Sequence, residues 1–327
     1  PDTPSIPGLA ESGYFTNETI FNITEAPRRL LVIGGGPLGC EMAQAFCRFG
    51  VHTIIVQERP LFLPREERDA AQILADSFAR DGMEIRLNCK AVAVRAENGE
   101  KLVDLVSDDY RSTVAVDAIL TGTGRVPNVD ELNLEAAGVA YDNTIGVHVD
   151  DFLRTDNHRI YAAGDACLPD KFNHTADASA RMAIRNALQS GHERLSELVI
   201  PWCTYTDPEI AHVGMYVRQA LEHEIPVKTF TVPMHDVDRA ITDDDEMGFV
   251  KIHVREGTDQ ILGATIVARH AGEMINEITL AMVAGVGLST VARTIHSYGT
   301  QAEGIKLAAD AYERTRTAAA TGSRSES

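Results

Sequence analysis

Three glycines and a carboxylate, Gly34-x-Gly36-x-x-Gly39 with Glu58, are the residues here whose types and spacing best suit a defined chemistry. In such a run the first glycine lets the chain turn sharply and the second lets backbone approach a pyrophosphate. The third lets a helix pack closely on the preceding strand, and the helix N-terminus, opened here by Pro37 and Leu38, offers its amides to the phosphate charge. Glu58 lies 19 residues beyond Gly39, near the ~20-residue spacing at which an acid meets the adenosine ribose diol. An acid there repels a 2′-phosphate and favours NAD, while the adjacent Arg59 is suited to that phosphate and leaves NADP open. A second carboxylate, Asp165, ends the run Tyr161-Ala162-Ala163-Gly164-Asp165, where it can accept hydroxyl hydrogen bonds or cap a turn.

The elements around these residues have the required order. The apolar run Leu30-Leu31-Val32-Ile33 suits a buried parallel strand and precedes the glycines. Residues 40–46 have helical composition, Thr53 to Gln57 form a second apolar strand, and Glu58 follows, so the order is that of a βαβ unit. Helices are expected from Glu66 to Asp81 and from Thr175 to Gln189. Beyond residue 200 the pattern changes to strands (Val227–Val232, Gly248–Val254, Ile261–Val267) and then helices (Glu273–Ala284, Ala302–Thr315), as in an α+β domain.

Composition narrows the function classes. A net charge of -18 disfavours nucleic acid and anionic membrane surfaces, and no apolar run reaches the roughly 18 residues of a membrane span. The five cysteines, Cys40, Cys47, Cys89, Cys167 and Cys203, are scattered without a Cys-x-x-Cys, which fits a reducing cytoplasm. Cys40 and Cys47, two helical turns apart, read as packing residues. No His/Cys spacing indicates a metal site, and Asp243-Asp244-Asp245-Glu246 reads as a solvated hairpin loop.

Taken together, Gly34 to Glu41, Gly124-Arg125-x-Pro127-Asn128, the run ending at Asp165, Thr204 to Glu209 and Thr300-Gln301-Ala302-Glu303 resemble the pyridine nucleotide-disulfide oxidoreductases, mercuric-reductase-like and dihydrolipoamide-dehydrogenase-like members above all. The resemblance implies an α/β protein: a Rossmann-like NAD(P) domain (27–122) inserted in a partial FAD domain (connector 1–26 and segment 123–198), then an α+β dimerisation domain (199–316) and a disordered tail (317–327). It implies FAD and NAD (NADP possible) as cofactors, a small-molecule substrate and a homodimer, with the apolar Ala- and Met-bearing face of the helix from Glu273 buried against the partner. Asp165 matches the acid that binds the flavin's ribityl chain, with Gly124 and Gly164 beside it in the motifs. Asn173 and His174 begin the helix whose amides stabilise charge on the reduced flavin. Glu41 holds the position between nicotinamide and flavin, where the family pairs it with a lysine of the N-terminal segment.

The stretch Ile295-His296-Ser297-Tyr298-Gly299-Thr300-Gln301-Ala302-Glu303 resembles the family's His-Pro-Thr-x-x-Glu loop. Tyr298 stands at the histidine's place, His296 lies two residues earlier, and Glu303 matches the glutamate. The mercuric reductases' C-terminal cysteine pair has no counterpart here. The chain opens at Pro4-Ser5-Ile6-Pro7-Gly8, where the family's first FAD segment ends, so the family's first glycine motif and redox Cys pair are expected upstream, and these residues alone are expected to be inactive. A non-catalytic NAD-binding dimerising module and a flavin NADH oxidase without a redox disulfide are the alternatives.

Overall fold

A computed structural model describes residues 1–108, 110–189 and 191–322, with side chains described as far as residue 317. Two compact units result: Ser5–Gly122 with the chain from Pro201 onward, and Pro1–Pro4 with Thr123–Ile200.

The first unit opens with α1 (Leu9–Ser12), β1 (Arg29–Ile33), α2 (Pro37–Arg48), β2 (His52–Val56), α3 (Arg68–Arg80) and β3 (Glu84–Arg86). β4 (Lys90–Glu97), β5 (Glu100–Val106) and β6 (Arg111–Val116) form an antiparallel sheet, and β7 (Ala118–Thr121) returns to pair in parallel with β1. The parallel sheet has the order β3-β2-β1-β7. Its centre is apolar on both faces: Leu30 and Val32 enter one core with Phe78 and Leu74, while Leu31 and Ile33 enter another with Leu105 and Ile119. Each such buried side chain contributes about 1.5–3 kcal/mol, so the run that precedes the glycines is firmly anchored. Asn98 and Gly99, both at positive φ, make the two-residue turn between β4 and β5.

The segment 1–26 is more than a connector. From Ser5 on it packs on the parallel-sheet lobe, with Leu9 and Ile20 buried and Phe15 bridging Leu120. Cys40 and Cys47 both lie on α2 against the core, and Cys47 Sγ is 3.1 Å from the Asp81 carbonyl.

The second unit holds the short pair β8 (Tyr141–Asp142) and β9 (Gly146–Val147), then α4 (Asn173–Leu188). Val129, Leu153, Leu168 and Met182 make its core.

Back in the first unit, β10 (Pro201–Thr204), β11 (Glu209–Gly214), β12 (Val227–Pro233), β13 (Phe249–Arg255) and β14 (Ile261–Ala268) form one antiparallel sheet of order β10-β11-β14-β13-β12. With them come α5 (Val217–Glu222), α6 (Asp238–Thr242), α7 (Ala271–Val283), α8 (Leu288–Arg293) and α9 (Glu303–Gly322). Three expectations are corrected here. The acidic run from Asp243 joins α6 to β13 rather than forming a hairpin, and it is ion-paired, Asp243 to Arg239 at 2.8 Å and Asp245 to Arg269 at 2.7 Å. The face of α7 bearing Met274, Ile278 and Ala281 covers the protein's own sheet; the opposite face exposes Leu280 and Val283. The tail expected to be disordered continues α9 through Gly322, Ala318 to Ala320 being strong helix formers; residues 323–327 lie outside the described residues.

A buried polar seam joins the start of α3 to this sheet. Trp202 Nε1 and Tyr216 Oη donate to the Glu66 carboxylate at 3.1 and 2.8 Å. Lys251 Nζ, nearly buried, donates to Glu67 at 2.9 Å and to Asp69 at 2.5 Å, with His253 Nε2 3.6 Å from Glu67. Fully buried His212 stacks on Tyr216 with ring centroids 3.7 Å apart.

Candidate functional site

The glycine turn has the shape its chemistry requires. Gly34 turns the chain at φ 108°, and a Cβ on Gly39 would lie 2.1 Å from the Gly34 carbonyl oxygen, so helix and strand touch there as backbone. At Gly36 the situation is the reverse: the nearest heavy atom to an added Cβ, the Gly122 carbonyl oxygen, is 3.9 Å away. That space lies where a pyrophosphate would sit against the start of α2, and it fits one. Gly36 is the N-cap and carries no side-chain cap. The first helical hydrogen bond runs from Cys40 N–H to Gly36 C=O at 2.9 Å, which leaves the Leu38 and Gly39 amides for a ligand; Pro37 has none to give and contributes its fixed φ. Gln57 Oε1 accepts the Gly35 N–H at 3.1 Å and braces the turn from the end of β2. Glu58 follows, its carboxylate largely exposed, with Lys90 Nζ at 3.1 Å.

Glu41, one turn into α2, accepts the Tyr205 N–H at 2.9 Å. One partner of Glu41 in this chain is thus the backbone between β10 and β11.

In the second unit the two motifs around Gly124 and Asp165 meet. Arg125 Nη1 lies 3.3 Å from the Asp165 carboxylate and donates to the Lys171 carbonyl at 2.5 Å. Gly124 C=O accepts the Asp2 N–H at 2.9 Å. Gly164, at φ 65°, donates its N–H to Ser179 Oγ at 3.0 Å and so seats the Asp165 turn on α4. Asn173 opens α4, and His174 stacks on Phe172 with ring centroids 5.2 Å apart. Thr175 Oγ1, in the same first turn, is buried without a hydrogen-bond partner. A half-exposed carboxylate and an orphaned hydroxyl at a 16-residue helix's N-terminus fit the hydroxyl-rich, anionic edge of a flavin nucleotide.

The C-terminal loop carries the third group. His296 Nε2 faces Glu277 Oε1 at 2.7 Å and its Nδ1 faces the Thr294 carbonyl oxygen at 3.2 Å, so the imidazole is held by Glu277 on α7 rather than by Glu303. The Tyr298 hydroxyl donates to Asp238 at 3.0 Å, and that carboxylate raises its pKa, so the phenol keeps its proton and acts as a hydrogen-bond donor. Glu303 begins α9 with Oε2 buried and without a hydrogen-bond partner. Gly299 sits at φ 76°, a value closed to proline, so this loop takes a different path from a His-Pro loop. A cavity of about 400 Å³ opens beside it, lined among others by Arg239, His270, Glu273, Glu277 and Gln301.

Gln57, Glu277, Arg125 and Tyr205 were not singled out by the sequence. Arg125 and Tyr205 did carry a signal, their places in the Gly124 motif and in the run Thr204 to Glu209.

The family model described as pyridine nucleotide-disulphide oxidoreductase matches residues 1–191, and its dimerisation-domain counterpart matches residues 200–309. The chain belongs to this family. Mercuric reductase from Streptomyces lividans is 36% identical over 314 residues, covering 95% of this chain and 66% of the relative. Dihydrolipoyl dehydrogenase from Thermus scotoductus is 32% identical over 311 residues, covering 92% and 67%. Among solved structures, the Cu(II) complex of the HOCl-induced flavoprotein disulfide reductase RclA from Escherichia coli superposes with a TM-score of 0.87 at 29% identity, over 93% of this chain and 70% of that one. The chain spans about half to two thirds of the mercuric reductases it matches, 49% of the Bacillus cereus one and 66% of the Streptomyces one. The pyridine nucleotide-disulphide oxidoreductases work with FAD and NAD(P)H, and the α/β fold is theirs.

Proposed function

We propose that this protein is a FAD-dependent NAD(P)H oxidoreductase that passes reducing equivalents to a disulfide or a metal ion and works as a cytoplasmic homodimer. The observation that carries the reading is the contrast at the glycine turn, closed at Gly39 and open at Gly36. Such a turn seats a dinucleotide pyrophosphate on the Leu38 and Gly39 amides. Bound FAD would supply the two-electron chemistry between nicotinamide and acceptor. For its part, the chain would hold the flavin nucleotide with Asp165 and the α4 amides, and place Glu41 toward the nicotinamide. Tyr298 would stand beside the acceptor as a neutral phenol, its hydroxyl oriented by Asp238, and Glu303 and the His296–Glu277 pair would shape that loop.

Glu58 is proposed to select NADH by accepting the ribose diol. Glu58→Gln removes the repulsion of a 2′-phosphate while Lys90 and Arg59 remain, so the NADH-over-NADPH affinity ratio should fall about tenfold, roughly 1.4 kcal/mol. Titrating both nucleotides by nicotinamide fluorescence checks this, and equal affinities in the unmodified protein would remove the selective role of Glu58.

The dimer reading rests on the dimerisation-domain match and on the exposed apolar set Leu280, Val283, Ile295 and Tyr298. Leu280→Glu with Val283→Glu should convert a dimer to a monomer in light scattering at micromolar protein; a monomeric unmodified protein would overturn this part.

A further inference from the structure

Glu41 is held by a backbone amide, and that amide belongs to a loop with its own fastening. Tyr205 is two-thirds exposed and lies just past the end of β10. Two residues on, Asp207 is bound to α2 and α3 through every polar group it has. Its N–H donates to Gln44 Oε1 at 2.7 Å, and its carbonyl accepts Gln44 Nε2 at 2.9 Å and Ser77 Oγ at 2.8 Å. Its carboxylate accepts Arg48 Nη1 at 2.6 Å. Gln44 is 4% exposed, and its second amide hydrogen goes to Asp81 at 3.0 Å. Both its hydrogens and its oxygen are therefore used, and no other side chain at position 44 offers that set at that reach. Glu41, Gln44 and Arg48 follow one another at helical spacing on one face of α2.

We propose that Gln44 is a positioning residue: by clasping Asp207 it fixes the Tyr205 amide and thereby the direction of the Glu41 carboxylate. This rests on the proposed function, in which Glu41 meets the nicotinamide. The nucleotide's phosphates and ribose are gripped elsewhere, at Leu38, Gly39 and Glu58, so loss of the clasp should slow electron delivery while leaving affinity nearly intact.

The test compares Gln44→Met with the unmodified protein in two ways. In the chain without flavin, amide hydrogen exchange of the Tyr205–Asp207 segment should quicken at least tenfold, and the NADH dissociation constant should change less than threefold. With FAD bound, single-turnover flavin reduction by NADH should slow at least tenfold. Unchanged exchange, an unchanged rate, or affinity and rate falling together would each overturn the positioning role. Should Gln44→Met fail to fold, Ser77→Ala removes one bond to Asp207 and should slow reduction two- to fivefold; an unaltered rate would overturn the proposal. An unmodified FAD-bound protein that binds NADH without reducing its flavin overturns the proposed function and this role with it. Normal reduction in both proteins overturns the positioning role alone.

Discussion

Gly36→Ala should leave the fold intact and abolish useful NADH affinity, whereas Gly39→Ala should damage the fold itself. Gly36 has φ −82° and ψ 178°, an extended conformation open to any residue, and its Cβ would meet nothing nearer than 3.9 Å. The methyl group would project into the space reserved for the pyrophosphate. Binding should weaken 30- to 100-fold, about 2–3 kcal/mol, with an almost unchanged melting temperature. At Gly39 the methyl carbon would lie 2.1 Å from the Gly34 carbonyl oxygen, and neither α2 nor β1 can retreat from it without disturbing the core behind Leu30 and Val32. Overpacking of that kind costs about 3 kcal/mol. Thermal melts with NADH titrations of the two variants check the contrast; equal destabilisation of both, or undiminished binding in Gly36→Ala, would contradict it.

Acid should weaken the protein well above the carboxylate range, because of His212. Burial lowers the His212 pKa from 6.5 to about 3, its hydrogen bond with the Gly214 carbonyl opposing only in part. A folded value below the unfolded one means that the unfolded chain takes up the proton first. Stability is therefore complete above pH 6.5 and is lost as pH falls from 6.5 toward 3, at up to about 1.4 kcal/mol per pH unit. Glu67 adds to the loss lower down. Burial alone would raise it, yet the facing His253 imidazole and the hydrogen bond from the Lys251 ammonium outweigh that and hold it at about 2, so its contribution is present above 4.5 and disappears as pH falls toward 2. Glu66 acts in the opposite sense: burial raises its pKa despite its bonds from Tyr216 and Trp202, and protonation relieves the folded state. Between pH 6.5 and 4.5 the His212 slope should stand out in urea melts, and His212→Asn should flatten it. A wild-type stability independent of pH over that interval would contradict this assignment. Glu67→Gln should cost about 3 kcal/mol at neutral pH, since Lys251 then keeps only Asp69 as its counter-charge in a nearly dry site.

The glycine turn proposed to hold the nucleotide was legible because its signals are local. A continuous apolar run, three glycines, a helix and an acid all fall within thirty residues, and each is dictated by backbone geometry. The clasp on Glu41 was not legible, since it is made by side-chain-to-backbone bonds between segments more than 150 residues apart, Gln44 to Asp207 and Glu41 to Tyr205. Glu277 was hidden for the same reason: its pairing with His296 depends on how α7 crosses the C-terminal loop. The interface face of α7 was misjudged because its outer side also carries the apolar Leu280 and Val283 beside Glu273 and Asn276, and only the sheet beneath it decides which side is covered. Leu9 and Ile20 gave no periodic signal in a turn-rich stretch, so the first 26 residues read as a connector. Asp243 pairs locally with Arg239 at helical spacing, whereas Asp245 has a partner brought by tertiary structure, Arg269 just past the end of β14.

Adding NADH, without oxygen, to the FAD-bound protein and following the flavin's visible absorbance shows whether hydride reaches the flavin. The absorbance should bleach with stoichiometric NADH and return when an acceptor is supplied. A flavin that stays oxidised while nicotinamide fluorescence shows NADH to be bound would contradict the proposed function.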